Sequence, residues 1–204
     1  MTDKTTPAEE NILRAAENIF QQKGFAGTRM QEVADEAQIN KAMLHYYFRS
    51  KEKLFRVILT NAINEVFPVI IGSLSSDKDV KHKLHDLVTN FTALLIKRPH
   101  LPLFIIHELS QNQGKFVTDM ALRNNAQPFV LAFFQQVIEE GEAGKIYPIN
   151  PVQLLLHVLS LTVFPFISRP MVSTVANLPG ELFQQVLNER SKEVIRLLDA
   201  GLRP

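Results

Sequence analysis

Apolar positions along this chain recur every three or four residues, the spacing that places them on one face of an α-helix. Ile12, Ala15, Ala16, Ile19 and Phe20 form the first such stripe. Ahead of it, Thr6-Pro7-Ala8-Glu9 has the form of a capping box with proline at the first helical position. Lys23-Gly24 supplies a stop, because glycine enters the left-handed cap conformation without a Cβ clash. Thr28 to Gln31 has the form of a second capping box, and Met30, Val33, Ala34 and Ala37 are the inward stripe of a short helix behind it. Asn40 is placed to cap a third helix with Leu44 and Phe48 inward. Ser50 is placed to cap a fourth, with Glu52 in its first turn, where the helix dipole favours it. The fourth helix carries Leu54, Phe55, Ile58, Leu59, Ala62, Ile63 and Val66, and Pro68 is expected to bend or end it.

The same period predicts helices over residues 77–97, 99–111 and 115–140, with Pro128 kinking or splitting the last and Gly141 and Gly144 stopping it. Asn150-Pro151 opens another helix to Val163, which Pro165 and Pro170 are expected to break. A final helix runs from Leu178 or Pro179 to Ala200. No alternating strand pattern appears. The expected fold is all-α, with about nine helices.

Composition narrows the class. Hydrophobic residues make up 46% of the chain, enough for a sizeable core, and the net charge is only +1, which does not suggest a protein that coats nucleic acid indiscriminately. With no cysteine there is no disulfide, thiolate metal site or thiol nucleophile. The opening MTDKTTPAEEN is polar and lacks an apolar signal core. The strongest apolar run, Pro151 to Ile167, is interrupted by Gln153, His157 and Pro165 and falls short of the roughly 20 residues a membrane span needs. A soluble, cytoplasmic protein with no membrane association is expected.

The local charge pattern says more than the sum. Between Gln38 and Arg56 five bases, Lys41, Arg49, Lys51, Lys53 and Arg56, face Glu52 alone. A local basic surface is what phosphate contact requires, although surface helices also carry lysines routinely. The same region has the form of a helix-turn-helix: a short second helix, a short turn at Gln38-Ile39, then the third helix at once. With Leu44 inward and about 100° per residue, Ala42, Met43, His45 and Tyr46 face away, with Tyr47 on the flank. Ala42 permits close backbone approach, Met43 suits a thymine methyl, and His45 and the tyrosines can bond to bases or phosphates. Lys41 and Lys51 are placed for phosphates. The competing reading packs Tyr46 and Tyr47 against helices one and four.

The segment from Ile12 to Phe55 resembles the DNA-binding domain of the TetR family of bacterial transcriptional regulators. The likeness is carried by Ala15-Ala16, Phe20, Gly24-Phe25, Thr28, Val33-Ala34, Ala37, the Leu44 to Phe48 block, and Ser50-Lys51-Glu52 ahead of Leu54. It implies a helix-turn-helix DNA-binding domain at residues 1–52 and an effector-binding and dimerisation domain at 53–204. It also implies a third helix in the major groove, with Arg29, Gln31, Lys41, Ala42, Met43, His45, Tyr46, Tyr47 and Lys51 at the DNA. Two positions depart from the family pattern. Gln38 stands where the turn usually has glycine, and His45 stands where tyrosine is frequent.

The resemblance further implies a homodimer joined through its last two long helices. Leu155, Leu159, Phe183, Leu187, Val194 and Leu198 are the candidate interface residues, and the operator is expected to be near-palindromic double-stranded DNA. A regulator of this class would hold a small-molecule effector among the middle helices, which are rich in phenylalanine. Phe104, His107, Gln111, Phe133, His157 and Phe164 are the candidate pocket residues, and the effector is expected to be uncharged or lipophilic. Pro68, near the end of the helix that leads away from the reading head, is a candidate pivot.

Nothing points to catalysis: there is no Ser-His-Asp order, Gly-rich phosphate loop or HExxH motif, and no cofactor is implied. His82 and His85 have a metal-binding spacing, but only Asp86 accompanies them, and a solvated pair is the simpler explanation. The expected function is a sequence-specific DNA-binding regulator, in the form of a repressor released by its effector. The alternative is a helical ligand-binding or adaptor protein whose helix-turn-helix is merely structural.

Overall fold

A computed structural model describes residues 6–111 and 114–204, the Gln111 side chain excepted. Among the described residues it contains ten helices and no strand: α1 (Pro7–Gly27), α2 (Met30–Glu36), α3 (Lys41–Tyr47), α4 (Lys51–Leu74), α5 (Val80–Lys97), α6 (Leu101–Gln111), α7 (Lys115–Arg123), α8 (Ala126–Glu142), α9 (Pro151–Val175) and α10 (Gly180–Gly201). The chain divides into two compact units, residues 1–62 and 63–204, so the division falls inside α4.

In the first unit, α1 buries Ile12, Ala15, Ala16, Ile19 and Phe20, and Val33, Ala34, Leu44, Phe48, Leu54, Phe55 and Ile58 are buried in the same unit. Phe20, Phe25 and Phe55 form an aromatic cluster, with Phe25 and Phe55 edge to face at 4.9 Å between ring centroids. The predicted caps are in place: Thr6 Oγ1 accepts from Glu9 N at 3.3 Å, Asn40 Oδ1 from Met43 N at 2.8 Å and Ser50 Oγ from Lys53 N at 3.2 Å. The predicted cap of α2 is displaced by one residue. Arg29 is the N-cap, its N–H donates to Glu32 Oε2 at 3.0 Å, and the Thr28 hydroxyl donates to the Gly24 carbonyl at 2.8 Å. Gly24 interrupts α1 with φ 68° and ψ 174°, an extended positive-φ shape open essentially to glycine alone and different from the expected left-handed cap.

The second unit centres on Leu84, Leu87 and Val88 of α5, Phe133 and Val137 of α8, Leu154 and Val158 of α9, and Val194 and Leu198 of α10. The start of α5 is satisfied from two sides. Asp79 accepts from His82 N at 2.9 Å, and the buried Glu140 carboxylate of α8 accepts from Val80 N at 3.2 Å and from Gln136 Nε2 at 2.7 Å. Asn150 caps α9 through Val152 N at 2.9 Å and Gln153 N at 3.1 Å.

Pro68, Pro165 and Pro170 do not break their helices as expected, and the split expected at Pro128 falls three residues ahead of it. α4 continues past Pro68 to Leu74. Pro68 and Asn64, whose carbonyl would have received its missing N–H, both lie on the exposed side, where water can serve that oxygen. The 115–140 helix divides at Asn125, whose φ is 51°, and Pro128 sits in the first turn of α8, where an N–H has no helical partner to lose. Finally, α9 runs unbroken through Pro165 and Pro170. α4 and α9 are each long and apolar enough to cross a membrane by length and composition alone. α9 is apolar nearly all round, and its outward residues Val152, Leu156, Phe164, Met171 and Val175 are exposed in the single chain.

Candidate DNA interface and interior cavity

The third helix presents the face that its periodicity predicts. Leu44 and Phe48 are buried, while Lys41, Ala42, Met43, His45 and Tyr46 are exposed within the first unit. Tyr46 is 82% exposed, so its ring is left to solvent, and it meets the half-buried Tyr47 edge to face at 5.4 Å. The His45 ring is tethered through Nδ1 to the Arg49 carbonyl at 3.3 Å, at the end of the helix. Arg29 and Gln31 are exposed at the start of α2, and Gln31 Nε2 donates to Asp35 Oδ1 at 2.8 Å. Lys23 bonds Glu32 at 2.6 Å, and this contact, with the Arg29 N–H, holds the Glu32 carboxyl below its ordinary range. One negative charge at the start of α2 is therefore already matched.

Lys51 is a correction. Its ammonium donates to the carbonyls of Phe25 at 2.8 Å and Thr28 at 3.1 Å and lies 4.5 Å from the Phe25 ring centroid. It fastens the end of α1 to the start of α4 instead of reaching outward for a phosphate. Gln38 carries φ 56° in the turn between α2 and α3, so the backbone does adopt there the left-handed shape that glycine would accept freely.

The second unit contains a cavity of about 830 Å³, open to solvent on one side past Ile106, Leu109 and Phe164. α4 contributes Ile63, Val66, Phe67 and Ile70; α5 Phe91 and Leu95; α6 Pro102, Ile105, Ile106 and Leu109; α7 Val117 and Ala121. Leu159, Val163 and Phe164 of α9 complete an almost wholly apolar wall, with Ser160 and Arg190 as the polar side chains among the described lining residues. A second cavity of about 380 Å³ shares Phe67, Ile70, Ala121 and Leu159 with the first.

Of the six residues expected to line a pocket, Phe164 does so. Phe104 is buried against the His100 ring, Phe133 is sealed in the α5–α8–α9–α10 core, His157 lies on the exposed side of α9, and half-buried His107 is not in the cavity wall. The Gln111 side chain lies outside the described residues. Arg190 was not anticipated, yet a signal was available. It stands three residues after Leu187 and four before Val194, on the inward stripe of α10, where a charged residue is unexpected. Burial lowers its pKa, with Glu193 acting in the opposite direction, and a guanidinium stays charged regardless.

The expected interface residues are also redirected. Phe183, Leu187, Val194 and Leu198 are buried in the chain's own core, and Leu155 and Leu159 face the cavities. The strongest apolar stripe of an amphipathic helix turns toward its own subunit first. The outward apolar residues of α10 are Leu182, Val186 and Leu197. His82 and His85 form no metal cluster with other described residues: His82 bonds Asp79 at 2.7 Å, and His85 bonds Asp199 at 2.8 Å.

Comparison with known proteins agrees with this arrangement. Residues 12–58 match the family model described as bacterial regulatory proteins, tetR family. The chain is 26% identical to the HTH-type transcriptional regulator RutR of Escherichia coli over 95% of its own length and 89% of that protein's. It is 28% identical to the HTH-type transcriptional repressor NicS of Pseudomonas putida over 68% of its length and 65% of that protein's. Its fold resembles that of the ketosteroid transcriptional regulator KstR2 of Mycobacterium tuberculosis, with a TM-score of 0.70, 18% identity and coverage of 98% and 96%. With an exposed third helix on a helix-turn-helix, a tetR-family match across residues 12–58 and relatives that are regulators along most of its length, the chain is a DNA-binding transcriptional regulator similar to those of the TetR family.

Proposed function

We propose that this regulator is a cytoplasmic repressor that binds a near-palindromic operator as a homodimer and is released by a small molecule held in the second unit. The observation that carries the DNA half is the bare face of α3. Met43, His45 and Tyr46 project from a helix whose opposite side, Leu44 and Phe48, is fixed in the core. Arg29, Gln31, Lys41, Ala42 and the Tyr47 flank complete the contact set. The tethered Lys51 acts by holding that set in place.

Two outward apolar rows, on α9 and α10, support the dimer. Two copies related by a two-fold axis would set two recognition helices against two half-sites one helical turn or a multiple of it apart. The cavity supports release, because α4 supplies four of its lining residues and begins shortly after α3. A ligand that favours one setting of α4 shifts the population of dimers able to span the operator, and a hundredfold loss of occupancy needs about 2.7 kcal/mol of differential affinity. The name of NicS, a repressor, favours repression over activation. The proposal gives no residue a catalytic role.

The test is selection of bound fragments from the source genome with purified protein, followed by titration at several salt concentrations. Enrichment of one inverted-repeat sequence, with affinity falling steeply as salt rises, is the expected result. Binding that ignores sequence, or no salt-dependent binding at all, would return the helix-turn-helix to a structural role.

A further inference from the structure

We propose that the cavity of the second unit takes an anionic amphiphile, with a carboxylate head at the Arg190 guanidinium and a long apolar body along the cavity. This deepens the effector reading and depends on it only for the regulatory consequence.

Arg190 is the charged member of an otherwise almost entirely apolar wall among the described residues. Its Nε is committed to the Leu161 carbonyl at 2.8 Å, which fixes the plane of the guanidinium and leaves its terminal nitrogens as unused donors. No described carboxylate is bonded to it. Glu193, one turn further along α10, is held by Arg196 at 2.6 Å. A cation partly withdrawn from water beside an apolar void gains when an anion meets it, and the planar fork of arginine matches a carboxylate's two oxygens. A wholly uncharged ligand would fill the void and leave that charge uncompensated.

The shape of the space selects the rest of the molecule. The main cavity and its smaller neighbour share four wall residues, Phe67, Ile70, Ala121 and Leu159, so two apolar spaces lie side by side with only those side chains between them. That suits a hydrocarbon better than a compact polar metabolite, for which the main cavity describes only Ser160 besides Arg190 and the smaller one only Thr118 and Gln127.

The experiment compares three molecules with the same tail, dodecanoate, dodecan-1-ol and dodecylammonium, by calorimetric titration of the full chain below their aggregation concentrations. Dodecanoate is expected to bind about ten- to a hundredfold more tightly than the alcohol, the range for a charge-assisted hydrogen bond. Dodecylammonium should be weakest. Arg190→Gln should erase the preference for the acid, and Ala121→Trp, which fills the shared wall, should weaken all three.

Equal affinity for acid and alcohol in the unmodified protein would overturn the proposal, as would a preference that survives Arg190→Gln. Unchanged dodecanoate binding by a folded Ala121→Trp protein would place the ligand elsewhere and overturn it too. Operator release is measured separately. Arg190-dependent dodecanoate binding that leaves the operator occupied would sink the effector reading and keep the ligand class. Release by a neutral compound, with acid and alcohol bound alike, would do the reverse.

Discussion

Arg190 Nε donates to the carbonyl oxygen of Leu161 across 2.8 Å, and Leu161 stands four residues before Pro165. That carbonyl would ordinarily accept from the residue at the Pro165 position, but proline has no N–H to give. A side chain from α10 therefore supplies the donor that α9 lacks, and α9 continues where its sequence predicts a break. Arg190→Gln should destabilise the protein by about 1–2 kcal/mol. The loss should be smaller by about 0.5–1 kcal/mol in a Pro165→Ala background, where the helix provides its own donor. Denaturant titration of the four proteins measures this coupling, and strict additivity would separate the two residues.

Gln38 holds φ 56° in the turn of the helix-turn-helix. A residue with a Cβ pays about 1 kcal/mol or more in that conformation, offset in part by the entropy glycine loses on folding. Gln38→Gly should therefore stabilise the first unit by about 0.5–1 kcal/mol. A rise in the denaturation midpoint is the expected outcome; a fall would mean that the glutamine side chain makes up its own strain.

Tyr46 and Lys51 should separate reading from holding. Tyr46→Ala removes an 82% exposed ring. Stability should change by less than about 0.5 kcal/mol, while operator affinity drops by about 1–3 kcal/mol. Lys51→Met removes the donor to Phe25 and Thr28 and should lower stability by about 2 kcal/mol. Its effect on DNA should follow the loss of folded protein. Normal stability with weakened binding to every sequence would return Lys51 to the phosphate backbone.

What could be read from the sequence divides by distance along the chain. The Thr6, Asn40, Ser50 and Asn150 caps were legible because each is a local bond from a side chain to a backbone N–H two or three residues on. The open face of α3 was legible because Leu44 and Phe48 set the phase of a short helix. The continuity of α9 was not, since its missing donor comes from a residue 29 positions away. The outward face of α9 was hidden for a different reason: a helix apolar on all sides gives no phase. On α10 the phase was clear, but the stripe Phe183, Leu187, Val194 and Leu198 belongs to the chain's own core.

His100 offers a pH test. It is buried against Phe104, its Nδ1 lacks a partner, and burial lowers its pKa below the ordinary 6.5, with Arg98 adding to the shift and Glu65 opposing it. The unfolded chain then takes up a proton before the folded one does. The stability tied to neutral His100 is fully present above pH 6.5 and is lost as pH falls from there through the folded value. Denaturant stability measured from pH 8 to pH 5 should decline less steeply in His100→Phe than in the parent. At the upper end the substitution should cost less than about 1 kcal/mol, because it removes an unsatisfied buried nitrogen. Parallel profiles would clear His100 of any part in the decline.

The dimer proposal is tested on the outward rows, not on the stripes that the core already uses. Leu156 and Val186 are about half exposed, at 49% and 50%. A charge at either position meets water in a single chain. In a two-fold dimer it is buried, and the symmetry buries it twice. Leu156→Glu and Val186→Glu should therefore leave helix content and unit stability unchanged while shifting sedimentation from dimer to monomer. Operator affinity should collapse with the dimer, because one helix-turn-helix covers only one half-site. Phe183→Ala behaves differently: it opens a hole in the core and should cost about 3–5 kcal/mol of stability. Dimers that persist in both glutamate variants would move the interface off these two helices, and the spacing predicted for the operator half-sites would go with it.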